Sequence, residues 1–384
     1  MPHISPFRGL VFDPSVVGPL EVVTAPPYDL IGDSERRAFL SSSPYSVVHL
    51  DLSEGTDDRY DRAADLLATW RSNGALVTGP ESCYYAYEMR FRLDARARRI
   101  RGLLCALELE DWGGGVLPHE RTMPGPIEDR LRLLRTTRTN LSAVYGTVSG
   151  PVPDLASLLE EVTAGRPSHA AVDAQGVEHR MWPVDADPAI PGWLASEPLL
   201  IADGHHRYTT ALHYRDERRA VDGPGPWDSV LAFVVDSRTE APPVLPFHRV
   251  VTAEPAPVTG TRVRDLQEVL AEIRDDDLLY GIVARAEGAL VHLVDELRGP
   301  PPTVAALHEQ VLGTEGTDDR IWFTPDAVVA EAAVRSGDAL VAYILPPTTP
   351  DRIRGVVERG ERLPQKSTFF WPKPLTGMVV RPLE

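Results

Sequence analysis

The chain has 384 residues, a net charge of −17, 43% hydrophobic and 25% charged residues, and two cysteines. That length suffices for a full core in two domains or subdomains. The acidic balance argues against a nucleic-acid partner, and Cys83 and Cys105 alone exclude a disulfide framework or a thiolate metal site and read as buried free thiols. The first residues lack a charged stretch leading into an apolar one, and no apolar run reaches membrane-spanning length, so a cytoplasmic protein without a membrane partner is expected.

In chain order, Thr24-Ala-Pro-Pro-Tyr-Asp29 forms a stiff loop, because adjacent prolines fix φ and hold Tyr28 and Asp29 in place. A helix is expected from about residue 57 to 71, with Ala63, Leu66, Leu67 and Trp70 on its apolar side. Residues 84–110 read as a β-hairpin that turns near 94–97. A glycine-rich loop from Trp112 to Glu120 leads into a basic helix over 127–138. Buried strands are expected over 141–147, 199–203 and 230–235, the second followed at once by a helix over 205–215. The last third alternates a helix over 304–312, a strand over 340–344 and a helix over 350–359. The pattern is α/β in the mixed α+β sense. The division is drawn as 1–235 and 236–384, with segment 363–377 returning to the active site. Residues 250–345 carry no interpretable motif.

Three constellations carry chemistry. Asp203-Gly-His-His-Arg-Tyr208 ends an apolar strand and opens a helix. Gly204 permits a tight turn, the helix start offers unpaired N–H groups to an anion, and His205, His206 and Arg207 add donors. Asp203 does not fit simple anion binding; a carboxylate there holds a metal ion or handles a proton. An exposed Asp N-cap would need neither His-His nor Arg. The second constellation is Leu117-Pro-His-Glu120, with His119 and Glu120 in a loop suited to catalytic groups. Thr122, Arg130, Arg135, Arg138 and Asn140 follow, and for the arginines a solvated face weighs as much as a site. The third is Pro364-Gln-Lys-Ser-Thr368. Lys and Arg total 39, yet Lys366 and Lys373 are the only lysines. A lysine kept against that bias marks a need for a compact, rotatable ammonium, more so at Lys366 than at Lys373. Ser367 and Thr368 add hydroxyls for phosphate oxygens. No P-loop, dinucleotide fingerprint or nucleophile elbow occurs. Together these residues describe a phosphate-handling site without a standard nucleotide motif.

At these residues the chain resembles the family called domain of unknown function 1015, through Pro6-Phe-Arg-Gly9, Ala25-Pro-Pro-Tyr-Asp29, His119-Glu-Arg-Thr122, Asp203-Gly-His-His-Arg-Tyr208, Pro246-Phe-His-Arg249 and Leu363-Pro-Gln-Lys-Ser-Thr368. Three of these motifs, in the same order, also resemble the archaeal free-serine kinases, which share a fold with the ParB N-terminal domain and sulfiredoxin. The resemblance implies a ParB/sulfiredoxin-like catalytic core with additional mixed-sheet elements. It implies a kinase that makes O-phospho-L-serine from free L-serine with Mg2+ and, at family level, pyrophosphate as donor. By resemblance Glu120 activates the hydroxyl, Asp203 assists the acceptor or the Mg2+, and His206, counted with them as catalytic, holds the donor phosphates. Gly204, His205, Arg207, Lys366, Ser367 and Thr368 hold the donor phosphates. His119, Thr122, Arg130, Asn140, Tyr28, Asp29 and His248 are substrate or support candidates. ATP or ADP as donor, another small alcohol as acceptor, and a non-catalytic ParB-like nucleotide- or anion-binding module remain alternatives. Phe369, Phe370 and Trp371 either line a purine slot or belong to the core. Homo-oligomerisation is left open.

Overall fold

The structure is a computed structural model and describes residues 2–55, 58–122, 124–195, 197–253, 258–313 and 320–384. It is a mixed α/β protein with two compact units. Unit 1 comprises Met1–Leu117, Met123–Pro242 and Pro372–Glu384; unit 2 comprises Pro118–Thr122 and Pro243–Trp371. The segments 118–122 and 372–384 thus cross the division expected at residue 235.

Unit 1 contains, in chain order, β1 (Ile4–Ser5), α1 (Asp33–Ser42), α2 (Arg59–Ser72), β2 (Tyr84–Leu93), β3 (Arg96–Glu108), β4 (Val116–Leu117), α3 (Pro124–Thr137), β5 (Val144–Val148), β6 (His169–Val172), β7 (Glu178–Val184), β8 (Leu199–Asp203), α4 (His205–Asp222) and β9 (Ser229–Asp236). The start expected for α2 at Asp57 lies outside the described residues. Nine strands form one mixed sheet in the order β4-β8-β5-β9-β3-β2-β7-β6, with β1 on β3. Strands β2 and β3 are the expected hairpin. Its turn is only Asp94 and Ala95, with φ of 50° and 61°, the left-handed pair that a two-residue turn of matching twist requires. The aromatic arm alternates poorly because both of its faces are covered: Tyr85 and Tyr87 on one face meet Phe7 at 5.3 Å and Phe233 at 5.4 Å, while Tyr84 and Ala86 on the other belong to the buried core. Strand β8 is a buried apolar run up to Asp203. Helix α4 continues past the expected residue 215 and stops at Gly223, whose φ is 77°. It packs on α3 through Leu131, Leu134 and Tyr214.

Unit 2 gives the motif-free segment 250–345 a structural role. It contains β10 (Val244–Pro246), β11 (His248–Val251), β12 (Thr261–Val263), α5 (Leu266–Glu272), β13 (Leu279–Ala286), β14 (Ala289–Glu296), β15 (Ile321–Thr324), α6 (Ala327–Ser336), β16 (Val341–Ile344), α7 (Pro350–Glu358) and β17 (Thr368–Phe370). Six strands form an antiparallel sheet in the order β12-β14-β13-β16-β11-β15. Val250, Val283, Ala342 and Ile344 of that sheet pack with Val269 of α5 and Ala330 and Val334 of α6. Strands β10 and β17 pair separately.

His248 serves this fold rather than a substrate. It is buried in β11, and its Nδ1 accepts from the Leu345 amide at 3.1 Å. Burial pushes its pKa down to about 4, with Arg249 adding to the shift. The folded chain therefore holds a neutral imidazole. Above about pH 6.5 the unfolded chain is neutral there too, so the group contributes no slope. As pH falls from about 6.5 to 4 the unfolded chain takes up a proton that the folded chain refuses, removing up to about 3 kcal/mol. His248→Asn keeps an acceptor and should flatten the fall in melting temperature between pH 7 and 4.5. Parallel curves for wild type and variant would refute the assignment.

Candidate functional site

The motif residues gather into one cluster in each unit. In unit 1, β8 delivers Asp203 to the sheet end and Gly204 turns the chain into α4. Gly204 has a φ of 91°, and a Cβ there would lie 3.1 Å from the Arg207 guanidinium. One turn along α4, Arg207 Nη2 donates to Asp203 Oδ2 at 2.5 Å, and Nη1 donates to the Ala143 carbonyl. Lys373 donates to Asp203 Oδ1 and stands 3.7 Å from Asp29 Oδ2. The Pro-Pro loop thus delivers Asp29 to the same lysine. The ring of His205 is buried against Trp112 of the glycine-rich loop, 6.1 Å between centroids at 23°, and His206 is half-buried.

Arg130 of α3 is buried beside Tyr28, its Cζ 4.3 Å from the ring centre. It donates to Asp51 Oδ1 at 2.7 Å and to Asp129 Oδ2. Burial pushes the Tyr28 hydroxyl up to about 12 and raises the Asp51 carboxyl against the pull of Arg130. Arg135 pairs instead with Glu217 on an exposed face at 2.5 Å. The buried Asn140 is committed to the fold, since its Oδ1 accepts from the Leu231 amide at 3.0 Å and from Arg381 at 3.4 Å.

The expected Mg2+ at Asp203 does not fit these contacts. Each carboxylate oxygen already faces a cation, and the Lys373 ammonium lies between Asp203 and Asp29, where a divalent ion bridging the two would sit. Among the described residues no group of three His, Cys, Asp or Glu side chains is placed to hold a metal.

In unit 2, segment 118–122 runs beside the end of the lysine motif: the Leu363 amide donates to the His119 carbonyl at 2.8 Å and the Arg121 amide to the Leu363 carbonyl at 3.3 Å. Thr122 closes that segment half-buried. Glu120 then meets three consecutive backbone amides. Lys366 N donates to Oε2 at 3.1 Å, while Ser367 N and Thr368 N donate to Oε1 at 3.1 and 2.9 Å. The Thr368 hydroxyl adds a fourth donor at 2.8 Å. Lys366 holds a left-handed φ of 52°, which helps turn successive N–H groups to one side as a nest. His119, fully buried, stands with Nε2 2.7 Å from Thr368 Oγ1. The threonine proton is given to Glu120, so His119 donates from Nε2. Ser367 turns its hydroxyl back onto the Pro364 carbonyl at 2.6 Å, and the Lys366 ammonium lies 5.3 Å from the centre of the Phe247 ring.

Arg249, from the Phe-His-Arg stretch, holds the nest from behind. Fully buried, it donates to the carbonyls of Phe247 at 2.6 Å, Lys366 at 3.0 Å and Gln365 at 3.4 Å, and to His308 Nε2 at 3.1 Å. Burial pulls its pKa down to about 9, opposed by the Glu120 charge. Phe369 and Phe370 are buried, against Phe247 at 5.2 Å and His119 at 5.9 Å respectively.

A family model described as Protein of unknown function (DUF1015) matches residues 4–307. The chain belongs to this family. No curated protein matches this DUF1015 chain in sequence. Among solved structures it is similar to a free serine kinase in complex with AMP, with 11% identity, a TM-score of 0.38, and 66% of this chain and 83% of that chain covered. A conserved hypothetical protein from Pyrococcus furiosus gives 11% identity and a TM-score of 0.36 over 67% and 90%. C-terminally truncated SbnI from Staphylococcus aureus gives 11% and 0.34 over 68% and 82%. No helix among the described residues is long and apolar enough to cross a membrane.

Two functional groups of the DUF1015 chain escape sequence reasoning in part. Lys373 carries the contacts to Asp203 and Asp29, although Lys366 is the lysine next to the hydroxyls. Arg249 stands out in the sequence only within a family motif, and its clamp on the nest involves main-chain carbonyls more than a hundred residues away. The lysine bias is the one signal that pointed to Lys373.

Proposed function

We propose that the chain is a small-molecule kinase that phosphorylates free L-serine to O-phospho-L-serine with pyrophosphate as donor. The observation that carries this reading is the convergence of the Lys366, Ser367 and Thr368 amides on one anion position. A backbone nest of this kind accepts a phosphate oxygen as well as a carboxylate. The carboxylate now in it, Glu120, is the group this reading assigns as base. Its lone pairs are taken by four donors, so it can receive a substrate hydroxyl only after giving some of them up.

On this reading a phosphate group of the donor takes over the amides and frees Glu120. The serine Oγ–H proton passes to Glu120 while Oγ bonds to one phosphorus. The bridging P–O bond breaks with its electron pair on the oxygen, and orthophosphate leaves. The Lys366 ammonium offsets charge on the transferred group. Magnesium bound by the donor phosphates themselves would supply charge neutralisation without protein ligands. Phe369 and Phe370 favour pyrophosphate over a nucleotide, because both are committed to packing in unit 2.

Phosphorus NMR of the protein with L-serine, Mg2+ and either pyrophosphate, ATP or ADP tests the proposal. Equal amounts of O-phosphoserine and orthophosphate are expected with pyrophosphate. Product with ATP or ADP alone would overturn the donor. No product in any tube would overturn the kinase and favour the binding module.

A further inference from the structure

Unit 1 holds a cavity of about 290 Å3 whose charged lining consists of Asp33, Arg36, Asp51, Arg59, Asp129 and Arg130. The lining is balanced, three guanidinium groups against three carboxylates, whereas a site for a free anion would carry an excess of cations. The inner four are engaged with one another: Arg130 bridges Asp51 and Asp129, and Asp129 also accepts from Arg59 and from Tyr60 at 2.8 Å. The outer two are different. Asp33 and Arg36 lie three residues apart on one face of α1, yet they do not pair with each other. Arg36 donates from Nε to the Leu52 carbonyl at 2.8 Å, and among the described residues neither has an ion-pair partner. A carboxylate and a guanidinium at neighbouring positions on a cavity wall complement an ammonium and a carboxylate held on one carbon.

A second, smaller cavity shares Asp51, Arg130 and Leu133 with it and is also lined by Arg207, the partner of Asp203. The volume of the larger one lies at the lower edge of the roughly 300–1,000 Å3 usual for ligand sites and suits a small metabolite.

We propose that this cavity binds a free α-amino acid, its ammonium on Asp33 and its carboxylate on Arg36. This deepens the kinase reading by giving its acceptor a seat, and it rests on that reading for the choice of serine. Calorimetric titration with L-serine and no donor tests it on the full chain, with Asp33→Asn and Arg36→Gln as variants on a solvent-facing helix. The wild type should bind, each variant at least about tenfold more weakly with a melting temperature only slightly lowered by the loss of the Arg36–Leu52 hydrogen bond or of the Asp33 charge in the first helical turn, and N-acetyl-L-serine and L-serinamide should bind the wild type as poorly. Equal affinity in wild type and both variants overturns the site, as does failure of the wild type to bind serine, alanine or threonine. The two proposals fail separately. Affinity lost in the variants, with no phosphoserine made by the wild type, upholds the cavity and removes the kinase. Phosphoserine made with an unchanged serine KM in both variants does the reverse.

Discussion

Glu120→Gln is expected to lower turnover by roughly 10²–10⁴ while leaving pyrophosphate affinity unchanged or improved. The two effects separate because the carboxylate has two roles in the proposed cycle. As base it must take the serine proton, which a neutral amide cannot do. As occupant of the nest it competes with the donor for the amides of Lys366, Ser367 and Thr368. Glutamine is a poor competitor. One of its side-chain atoms becomes an NH2 group facing either the Lys366 amide or the three donors now on Oε1, so at least one donor–donor contact replaces a hydrogen bond. The variant also removes the anion that offsets the fully buried Arg249. A stability loss of about 1–3 kcal/mol is therefore expected alongside, and the assays should run well below the lowered melting temperature. Turnover is followed by phosphorus NMR and donor affinity by calorimetry. Retained turnover would remove Glu120 as base. A donor affinity that falls together with turnover would show that Glu120 helps to hold the donor rather than competing with it.

The nest itself could not have been read in the sequence, and the reason is physical. A nest is made of main-chain N–H groups, which every residue but proline carries. Only the left-handed φ at Lys366 betrays it, at a residue type that gives no hint of such a conformation. The Asp203 turn was legible because side-chain chemistry makes it: an apolar run fills a buried strand, Asp-Gly ends it, and the helix restarts at once. The hairpin of β2 and β3 was legible from its aromatic and β-forming residues, although its turn was drawn too long. Partnerships were not legible. Asn140 and His248 look like site residues in one dimension, yet their hydrogen bonds go to the Leu231 and Leu345 amides. Arg130 and Arg135 share a helix and a charge, but one is buried between Asp51 and Asp129 and the other lies on the surface with Glu217. The six-stranded sheet of unit 2 carries no motif because packing it against two helices requires only apolar residues on the covered face.

Lys373 gives the sharpest case of a partnership hidden in the sequence, and Lys373→Met is expected to cost about 3–5 kcal/mol. The Lys373 side chain is 4% exposed, and those of the two aspartates it serves, Asp203 and Asp29, are 16% and 25% exposed. Removing it leaves two like charges close together in a poorly hydrated site, with Arg207 still on the far oxygen of Asp203. Lys373→Arg should recover only part of the loss, because a planar fork cannot replace a point charge set between two separate oxygens. If unpaired charge is the cause, the Asp203→Asn/Lys373→Met double variant should be more stable than the Met single variant, with a coupling of about 2 kcal/mol or more in the cycle. Lys366→Met should behave oppositely: its ammonium rests near the Phe247 ring and is half-buried, so stability should change by less than about 1 kcal/mol while donor affinity falls. Urea unfolding at pH 7 measures these four variants and the Asp203→Asn single variant that closes the cycle. A Lys373→Met protein within about 1 kcal/mol of wild type would mean that water replaces the ammonium between the two aspartates. A double variant no more stable than the single would show that the lost energy was packing of the lysine stem rather than charge.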